Sequence, residues 1–160
     1  QLAACRRELA VELVAPYEWA RRAARWWIEN DRPGVVVNLG SVLGAGSGGR
    51  LRAPGYTAAK GGLHNLTREL AVQWARRDIR VNALAFGSVM SESLKTTLKD
   101  HSEFRSDIED HTPLNRIAAA GELAEAAQYL ACDASSFMTG QVITVDGGRT
   151  LLDPGAAPAH

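Results

Sequence analysis

The chain has 160 residues, of which 46% are hydrophobic and 22% are charged, and its 18 basic residues balance its 18 acidic ones. This length suits one domain with a packed core, and the neutral net charge argues against a surface for nucleic acid or for anionic membranes. No apolar run approaches the roughly 18 residues that a membrane span requires. Two cysteines are too few for a disulfide framework, and the four histidines lack metal-ligand spacing. We therefore expect no bound metal and a reducing, cytoplasmic location.

The first predicted element is a long helix over residues 2–29. Its apolar side chains recur at steps of three and four residues, while its arginines fall mainly on the other side. Pro16 interrupts this pattern and is expected to bend the helix or to delay its start, because proline lacks a backbone N–H. Residues 35–39 (VVVNL) follow as a β-branched run without alternation, which is typical of a strand in a parallel sheet.

The remaining elements continue the alternation of helix and strand. The pattern predicts a helix from Pro54 to about Arg77, a strand over residues 79–85, a mobile excursion over 88–120, a helix over 122–131, a strand over 142–145 and a disordered tail over 153–160. This order predicts an α/β fold with three parallel strands and flanking helices, in one domain over residues 1–152.

A glycine-rich segment at residues 44–49 (GAGSGG) matches the pattern of a dinucleotide-binding turn. Such a turn must lead directly into a helix, whose N-terminus meets the pyrophosphate. Here residues 50–54 intervene before any helix starts, and no second strand with an acidic residue follows at the right distance. We therefore interpret the segment as a flexible glycine loop.

The segment YTAAK at residues 56–60 places Tyr56 and Lys60 four residues apart, so both side chains project from one face of the predicted helix. A free phenol is a weak acid–base catalyst at neutral pH, and a fixed cation beside it favours the phenolate. Ser41, at the end of the first strand, has a hydroxyl that can orient a carbonyl or alcohol oxygen. The pattern indicates a proton-transfer group formed by these three residues. The alternative is an exposed helix pair without a role.

Four segments, in order, resemble the short-chain dehydrogenase/reductase family, and in particular the 3-oxoacyl-carrier-protein reductases. They are VVNLGSV at residues 36–42, YTAAK at 56–60, RVNA at 80–83 and TGQVITVDGG at 139–148. The resemblance covers nearly all of residues 9–150. It implies the C-terminal part of a Rossmann-like, doubly wound parallel sheet. It also implies an NAD- or NADP-dependent enzyme that reduces carbonyls or oxidises secondary alcohols by hydride transfer.

The resemblance implies catalytic roles for Ser41, Tyr56 and Lys60. In this family the tyrosine exchanges a proton with the substrate oxygen, the lysine assists it and binds the nicotinamide ribose, and the serine positions the substrate. The residues that the resemblance assigns to cofactor binding are Tyr56, Lys60, Gly87, Val89 and Ser91. It further implies a small-molecule substrate under a lid formed by residues 88–120, and a homodimer or homotetramer formed through the two long helices.

Three features depart from the family pattern. Glu12 stands where a relay asparagine is usual, and a buried carboxylate there needs a partner or a proton. Phe86 replaces the proline that usually precedes the glycine after the second strand. The resemblance implies βα units before Gln1 that seat the dinucleotide, about a hundred residues, so we expect this chain to be a truncated, C-terminal part of such a protein. We therefore expect an open edge on the first strand, marginal stability of the chain alone and weak dinucleotide binding.

Three hypotheses about function stay open. The first is an oxidoreductase of this family. The second is a non-catalytic protein, either a degenerate paralogue or an oligomerisation subunit, which Glu12 and Phe86 favour and the retained catalytic trio opposes. The third, a nucleoside-binding transferase on a similar sheet, leaves the spacing of Tyr56 and Lys60 unexplained.

Overall fold

A computed structural model describes residues 1–46 and 53–152. Its helices and strands are, in chain order, α1 (Leu2–Leu9), α2 (Ala15–Glu29), β1 (Gly34–Leu39), α3 (Pro54–Trp74), β2 (Ile79–Phe86), α4 (Glu92–Asp100), α5 (Glu103–Asp110), α6 (Ala120–Ala131) and β3 (Val142–Val145). A π-helical turn (Ala10–Val14) joins α1 to α2. Short 3-10 turns cover Val42–Gly44, Ala75–Arg77, Asp133–Ser135 and Arg149–Leu151. Residues 47–49 of the glycine loop and the predicted tail over residues 153–160 lie outside the described residues.

The three strands form one parallel sheet in the order β1-β2-β3. β1 pairs with β2 in the register Val36↔Val81, and β2 pairs with β3 in the register Ala83↔Val142. The side chains of β2 are buried along most of its length, whereas the three valines of β1 are only half-buried. The predicted α/β class, with three parallel strands and flanking helices, is confirmed. Within the described sheet, β1 forms an open edge.

Helices pack on both faces of β2, because side chains alternate between the two faces of a strand. Ile79 and Val81 belong to the main apolar cluster, together with Leu70 of α3 and two alanines of α2. Arg80 points to the other face, where its guanidinium donates a hydrogen bond to Ser135 Oγ (3.1 Å), just beyond α6. Burial of the central strand on both sides leaves the ends and the edges of the sheet for a ligand.

Pro16 divides the long N-terminal helix without stopping it. Proline has no N–H to donate to the carbonyl of Glu12, four residues earlier, and its ring crowds that carbonyl. The chain forms the π-helical turn at this point, and α2 starts directly after it with Pro16 in its first turn. This N-terminal segment packs against α3, where a Cβ on Gly62 would lie 3.0 Å from Leu13 Cδ2. The helix starts at Leu2, so Pro16 does not delay its start, and the irregularity found next to Pro16 is the π-helical turn.

The segment over residues 88–120 is more regular than the sequence predicts. It holds two short helices, α4 and α5, where the weak periodicity indicated none. Ser91 caps α4, since its Oγ accepts a hydrogen bond from the N–H of Leu94 (3.2 Å). Both helices are mostly exposed and polar, so they carry little apolar pattern for a sequence-based prediction. Throughout the described part of the chain, no helix combines the length and the apolar character that crossing a membrane requires.

Candidate active site

The predicted site residues gather beyond the carboxyl ends of the strands. Ser41 follows β1, while Gly87, Val89 and Ser91 follow β2. In open parallel sheets, ligands bind outside this edge because the loops after neighbouring strands meet there. The helix α3 joins the same region: a Cβ on Gly44, in the turn after β1, would lie 2.8 Å from the carbonyl carbon of Lys60.

Tyr56 and Lys60 lie on the same side of α3. Lys60 Nζ is 5.5 Å from the centre of the Tyr56 ring. The lysine side chain is only 8% exposed, whereas the tyrosine is half-buried. The predicted placement of the two side chains on one helix face is confirmed, and a buried ammonium lies beside a half-buried tyrosine.

Two oxygen atoms hold the Lys60 ammonium in place. Nζ donates a hydrogen bond to the carbonyl oxygen of Leu39, the last residue of β1 (2.6 Å), and it lies 2.9 Å from Glu12 Oε2. Lys60 is therefore the partner that the carboxylate of Glu12 needs. In the sequence, only the unusual carboxylate at position 12 indicates this interaction, because the two residues lie on different elements far apart in the chain.

Ser41 begins the 3-10 turn that follows β1. Its Oγ accepts a hydrogen bond from the N–H of Leu43 (3.2 Å), and the residue is buried. A hydroxyl that accepts one hydrogen bond still has its proton to donate to a second partner. The turn packs against α3 at Lys60, so Ser41 lies at the same edge of the sheet as the tyrosine and the lysine.

His64, one turn of α3 beyond Lys60, fills the space beneath the turn after β1. A Cβ on Gly40 would lie 2.5 Å from its Nε2, and a Cβ on Gly44 would lie 2.6 Å from its Cε1. The residue is 4% exposed, and in the described part of the chain Nε2 has no hydrogen-bond partner. Burial lowers the pKa of His64, and the charges of Arg68 and Lys60 lower it further, so the imidazole is neutral at pH 7. A lone histidine in a helix carries no sequence signal of this packing.

The segment after β2 is held close to the end of β3. A Cβ on Gly87 would lie 2.9 Å from the Cα of Asp146, so only glycine fits here without a shift of the backbone. Val89 then forms a parallel bridge with Ala118, and Ser91 caps α4. The structure places Gly87, Val89 and Ser91 after the carboxyl end of β2. Their role in cofactor binding stays a prediction.

A cleft of about 340 Å³ runs along the open edge of β1 and ends at Lys60. Trp19 and residues 36–39 line its length, and Glu12 lies with Lys60 at its charged end. Trp19 is 71% exposed, which places an uncovered aromatic side chain at the rim. No group of histidine, cysteine and carboxylate side chains within residues 1–46 and 53–152 could hold a metal ion.

Comparison with known proteins identifies related dehydrogenases. A family model described as enoyl-(acyl carrier protein) reductase matches residues 1–150. The chain is 41% identical over 133 residues to galactitol 2-dehydrogenase (L-tagatose-forming) of Cereibacter sphaeroides, which covers 83% of this chain and 52% of that protein.

Two solved structures have the same fold as this chain. The gluconate 5-dehydrogenase of Burkholderia cenocepacia J2315, in complex with NADP and tartrate, matches with a TM-score of 0.82 and 34% identity over 89% of this chain and 55% of that one. A 4-hydroxyisoleucine dehydrogenase complexed with NADH matches with a TM-score of 0.84 and 28% identity over 91% of this chain and 58% of that one.

The chain spans about half the length of these relatives. Within that span, the family model covers α1, α2 and α3, all three strands and every predicted site residue. The match in sequence and the match in fold lead to one conclusion: the chain belongs to the short-chain dehydrogenase/reductase family.

Proposed function

We propose that the chain supplies the proton-transfer half of an NAD- or NADP-dependent oxidoreductase that interconverts a secondary alcohol and a carbonyl by hydride transfer. One observation carries this proposal. The buried Lys60 ammonium lies 5.5 Å from the ring of the half-buried Tyr56, at the carboxyl edge of a parallel sheet. The related dehydrogenases, and the neighbours solved with NADP or NADH, support the same class of reaction.

The side chains at this edge fit the nicotinamide end of such a cofactor. An ammonium group has three N–H donors. Lys60 donates one to the Leu39 carbonyl, and Glu12 Oε2 lies 2.9 Å from the same nitrogen. In this proposal a further N–H of Lys60 donates to a ribose hydroxyl. In this proposal Lys60 holds the ribose, and Gly87, Val89 and Ser91 border the nicotinamide. When bound, the dinucleotide would supply or accept the hydride.

The three candidate catalytic residues then divide the proton chemistry between them. In the reducing direction Tyr56 donates its phenolic proton to the carbonyl oxygen, and the Lys60 ammonium stabilises the phenolate that is left. Ser41 donates its hydroxyl proton in a hydrogen bond to the same oxygen and so orients the substrate. In the oxidising direction the phenolate takes the proton from the alcohol. Acid–base catalysis of this kind contributes a factor of roughly 10² to 10⁴.

The test is Tyr56→Phe, assayed as reduction of NAD⁺ and NADP⁺ with a panel of polyols and sugar acids. We expect turnover to fall by about 100-fold or more, while the circular dichroism spectrum and dinucleotide binding are retained. Tyr129→Phe is the matched control, because its hydroxyl donates to Met138 Sδ (3.3 Å) beside α6, away from the site. Unchanged turnover in Tyr56→Phe would refute the assignment.

The proposal includes a homodimer or homotetramer formed through the long helices. Exposed apolar side chains on these helices support it, with exposures from 52% to 79%: Val11, Val14, Trp19, Trp26 and Val72. Apolar surface of this extent on neighbouring helices is typical of an interaction site. Sedimentation velocity on the purified protein tests it, and a monomer at all concentrations would contradict it.

A non-catalytic scaffold is the second candidate, and one observation favours it. The carboxylate of Glu12 forms an ion pair with Lys60, the lysine that the proposed proton transfer needs. A scaffold would assemble through the same helices and bind no dinucleotide. Fluorescence titration of the protein with NADH and NADPH separates the two candidates.

A further inference from the structure

The ion pair between Glu12 and Lys60 joins two elements at the candidate site. Glu12 belongs to the π-helical turn, and its Oε2 lies 2.9 Å from Lys60 Nζ. The carboxylate is 32% exposed and the lysine side chain 8% exposed. The pair therefore connects a buried ammonium to the solvent at the end of the cleft along β1.

Pro16 lies four residues after Glu12, just beyond the π-helical turn that carries the carboxylate. Pro16 cannot donate to the carbonyl of Glu12, and the helix widens to a π-turn at this place. A π-turn changes the direction in which its side chains leave the helix, and in this chain the carboxylate of Glu12 meets α3 at Lys60. The same proline that breaks the apolar pattern thus belongs to the geometry of the site.

The carboxylate does two things to the ammonium. It holds Nζ at the end of β1 together with the Leu39 carbonyl, and it places a negative charge next to the positive one. An ammonium that is paired in this way acts more weakly on a third group than an unpaired one, since the two fields oppose each other. The third group here is Tyr56, whose ring centre is 5.5 Å from Nζ.

Other titratable groups also face this part of α3. Glu8 and Cys5, both on α1, lie beside Gly55, next to Tyr56 in the chain. His64 lies one turn further along α3, with a pKa lowered by burial, and is neutral at pH 7. Of the two carboxylates, Glu12 is the one in contact with the ammonium.

We propose that Glu12 is a positioning residue for the catalytic lysine: its carboxylate fixes the Lys60 ammonium at the end of β1 and offsets the charge that this ammonium presents to the Tyr56 phenol. This inference rests on the proposed function, in which Tyr56 transfers the proton. According to this proposal, the acidity of the Tyr56 phenol depends on the carboxylate of Glu12 in the N-terminal helical segment.

The experiment is Glu12→Gln, which keeps the size of the side chain and removes its charge. Tyr56 is titrated by the ultraviolet difference absorbance of tyrosinate, with Tyr56→Phe as the subtraction blank. We expect the midpoint for Tyr56 to move to lower pH by roughly 0.5 to 1.5 units, the size expected for removing one unit charge several ångströms away at an effective dielectric constant of about 20 or more. The tyrosine limb of the pH–rate profile should move in the same direction.

Two further variants keep the test decisive. Glu12→Asp retains the charge on a shorter side chain and should keep the midpoint within about 0.3 units of the wild-type value, a small fraction of a unit-charge effect. Glu18→Gln is the matched control, because it removes an equal charge from α2, where Glu18 pairs with exposed Arg21. An unchanged midpoint in Glu12→Gln, or an equal shift in Glu18→Gln, would overturn the proposal.

The titration needs no turnover, so the two proposals fail separately. A shifted midpoint with full activity in Tyr56→Phe would leave the coupling between Glu12 and Tyr56 in place and remove the proposed function. An unshifted midpoint with an inactive Tyr56→Phe would retain the proposed function and remove the role of Glu12.

Discussion

A buried hydrogen bond ties β1 to α3, the two elements that carry the candidate catalytic residues. Asn38 Nδ2 donates to Thr67 Oγ1 (2.9 Å), and that hydroxyl in turn donates to the carbonyl of Leu63 (2.8 Å). Thr67 is fully buried and Asn38 is 6% exposed, so water cannot replace the bond. The change Thr67→Val swaps the hydroxyl for a methyl group of similar size and leaves the Asn38 amide without its acceptor.

We expect Thr67→Val to lower the free energy of unfolding by about 1–3 kcal/mol, the cost of an unsatisfied buried donor. For a chain of this length, each kcal/mol lowers Tm by roughly 2–4 °C. Urea unfolding followed by circular dichroism measures the change, and an unaltered slope against denaturant would confirm that the unfolded state is not affected. The double variant Asn38→Leu/Thr67→Val removes both polar groups and should recover part of the loss.

The matched control is Thr97→Val on α4. Thr97 donates to the carbonyl four residues earlier, as Thr67 does, but it is exposed and, among the residues that the structure describes, has no hydrogen bond to a side chain of another element. This variant should change the stability by less than about 0.5 kcal/mol. The reasoning is refuted if Thr67→Val lowers the free energy of unfolding no more than Thr97→Val does. It is also refuted if the losses measured for Asn38→Leu and Thr67→Val as single variants add fully in the double variant, because the bond between β1 and α3 then does not stabilise the fold.

Two further predictions concern pH and packing. Burial lowers the pKa of His64 below its ordinary value of 6.5, so the unfolded chain takes up this proton at higher pH than the folded chain. The contribution of neutral His64 to the free energy of unfolding is complete above pH 6.5. It is lost as the pH falls through the pKa of His64 in the folded chain, with a slope of at most about 1.4 kcal/mol per pH unit. Urea unfolding at a series of pH values tests this, and His64→Gln should flatten the slope. Gly87→Ala should cost about 1–3 kcal/mol, because the new methyl group would meet the backbone of Asp146. Gly121→Ala is its control, since its methyl group would enter open space and should be neutral or stabilising. Equal unfolding free energies for the two alanine variants would contradict the packing argument.

The regular elements could be predicted where a residue pattern has a local cause. The run at residues 35–39 became β1, and the run at 142–145 became β3 with the predicted bounds, because β-branched residues favour a covered strand. Pro54 begins α3 as expected, since its missing N–H costs nothing in the first turn of a helix. The helices α4 and α5 were not predicted, because exposed helices need no apolar face.

The site could be predicted only in part, and Lys60 shows the limit. Its spacing from Tyr56 is a property of the helix and is visible in the sequence. Its hydrogen bond to the Leu39 carbonyl depends on how α3 packs against the end of β1, and no residue pattern encodes that contact. The burial of the tryptophans also depends on how the helices pack. Trp27 and Trp74 pack against the core cluster, whereas Trp19 and Trp26 on α2 are exposed.

By itself, the sequence determined the order of helices and strands, the family resemblance and the presence of a phenol and an ammonium on one helix face. These follow from short-range geometry, in which residues a few positions apart have a set spacing. The tertiary structure alone decided that Glu12 and Leu39 hold Lys60 and that His64 is buried, with no hydrogen-bond partner for Nε2 among residues 1–46 and 53–152. Those features arise when distant segments exclude water from charged and polar groups, and the strength of an ion pair or a hydrogen bond depends on that exclusion.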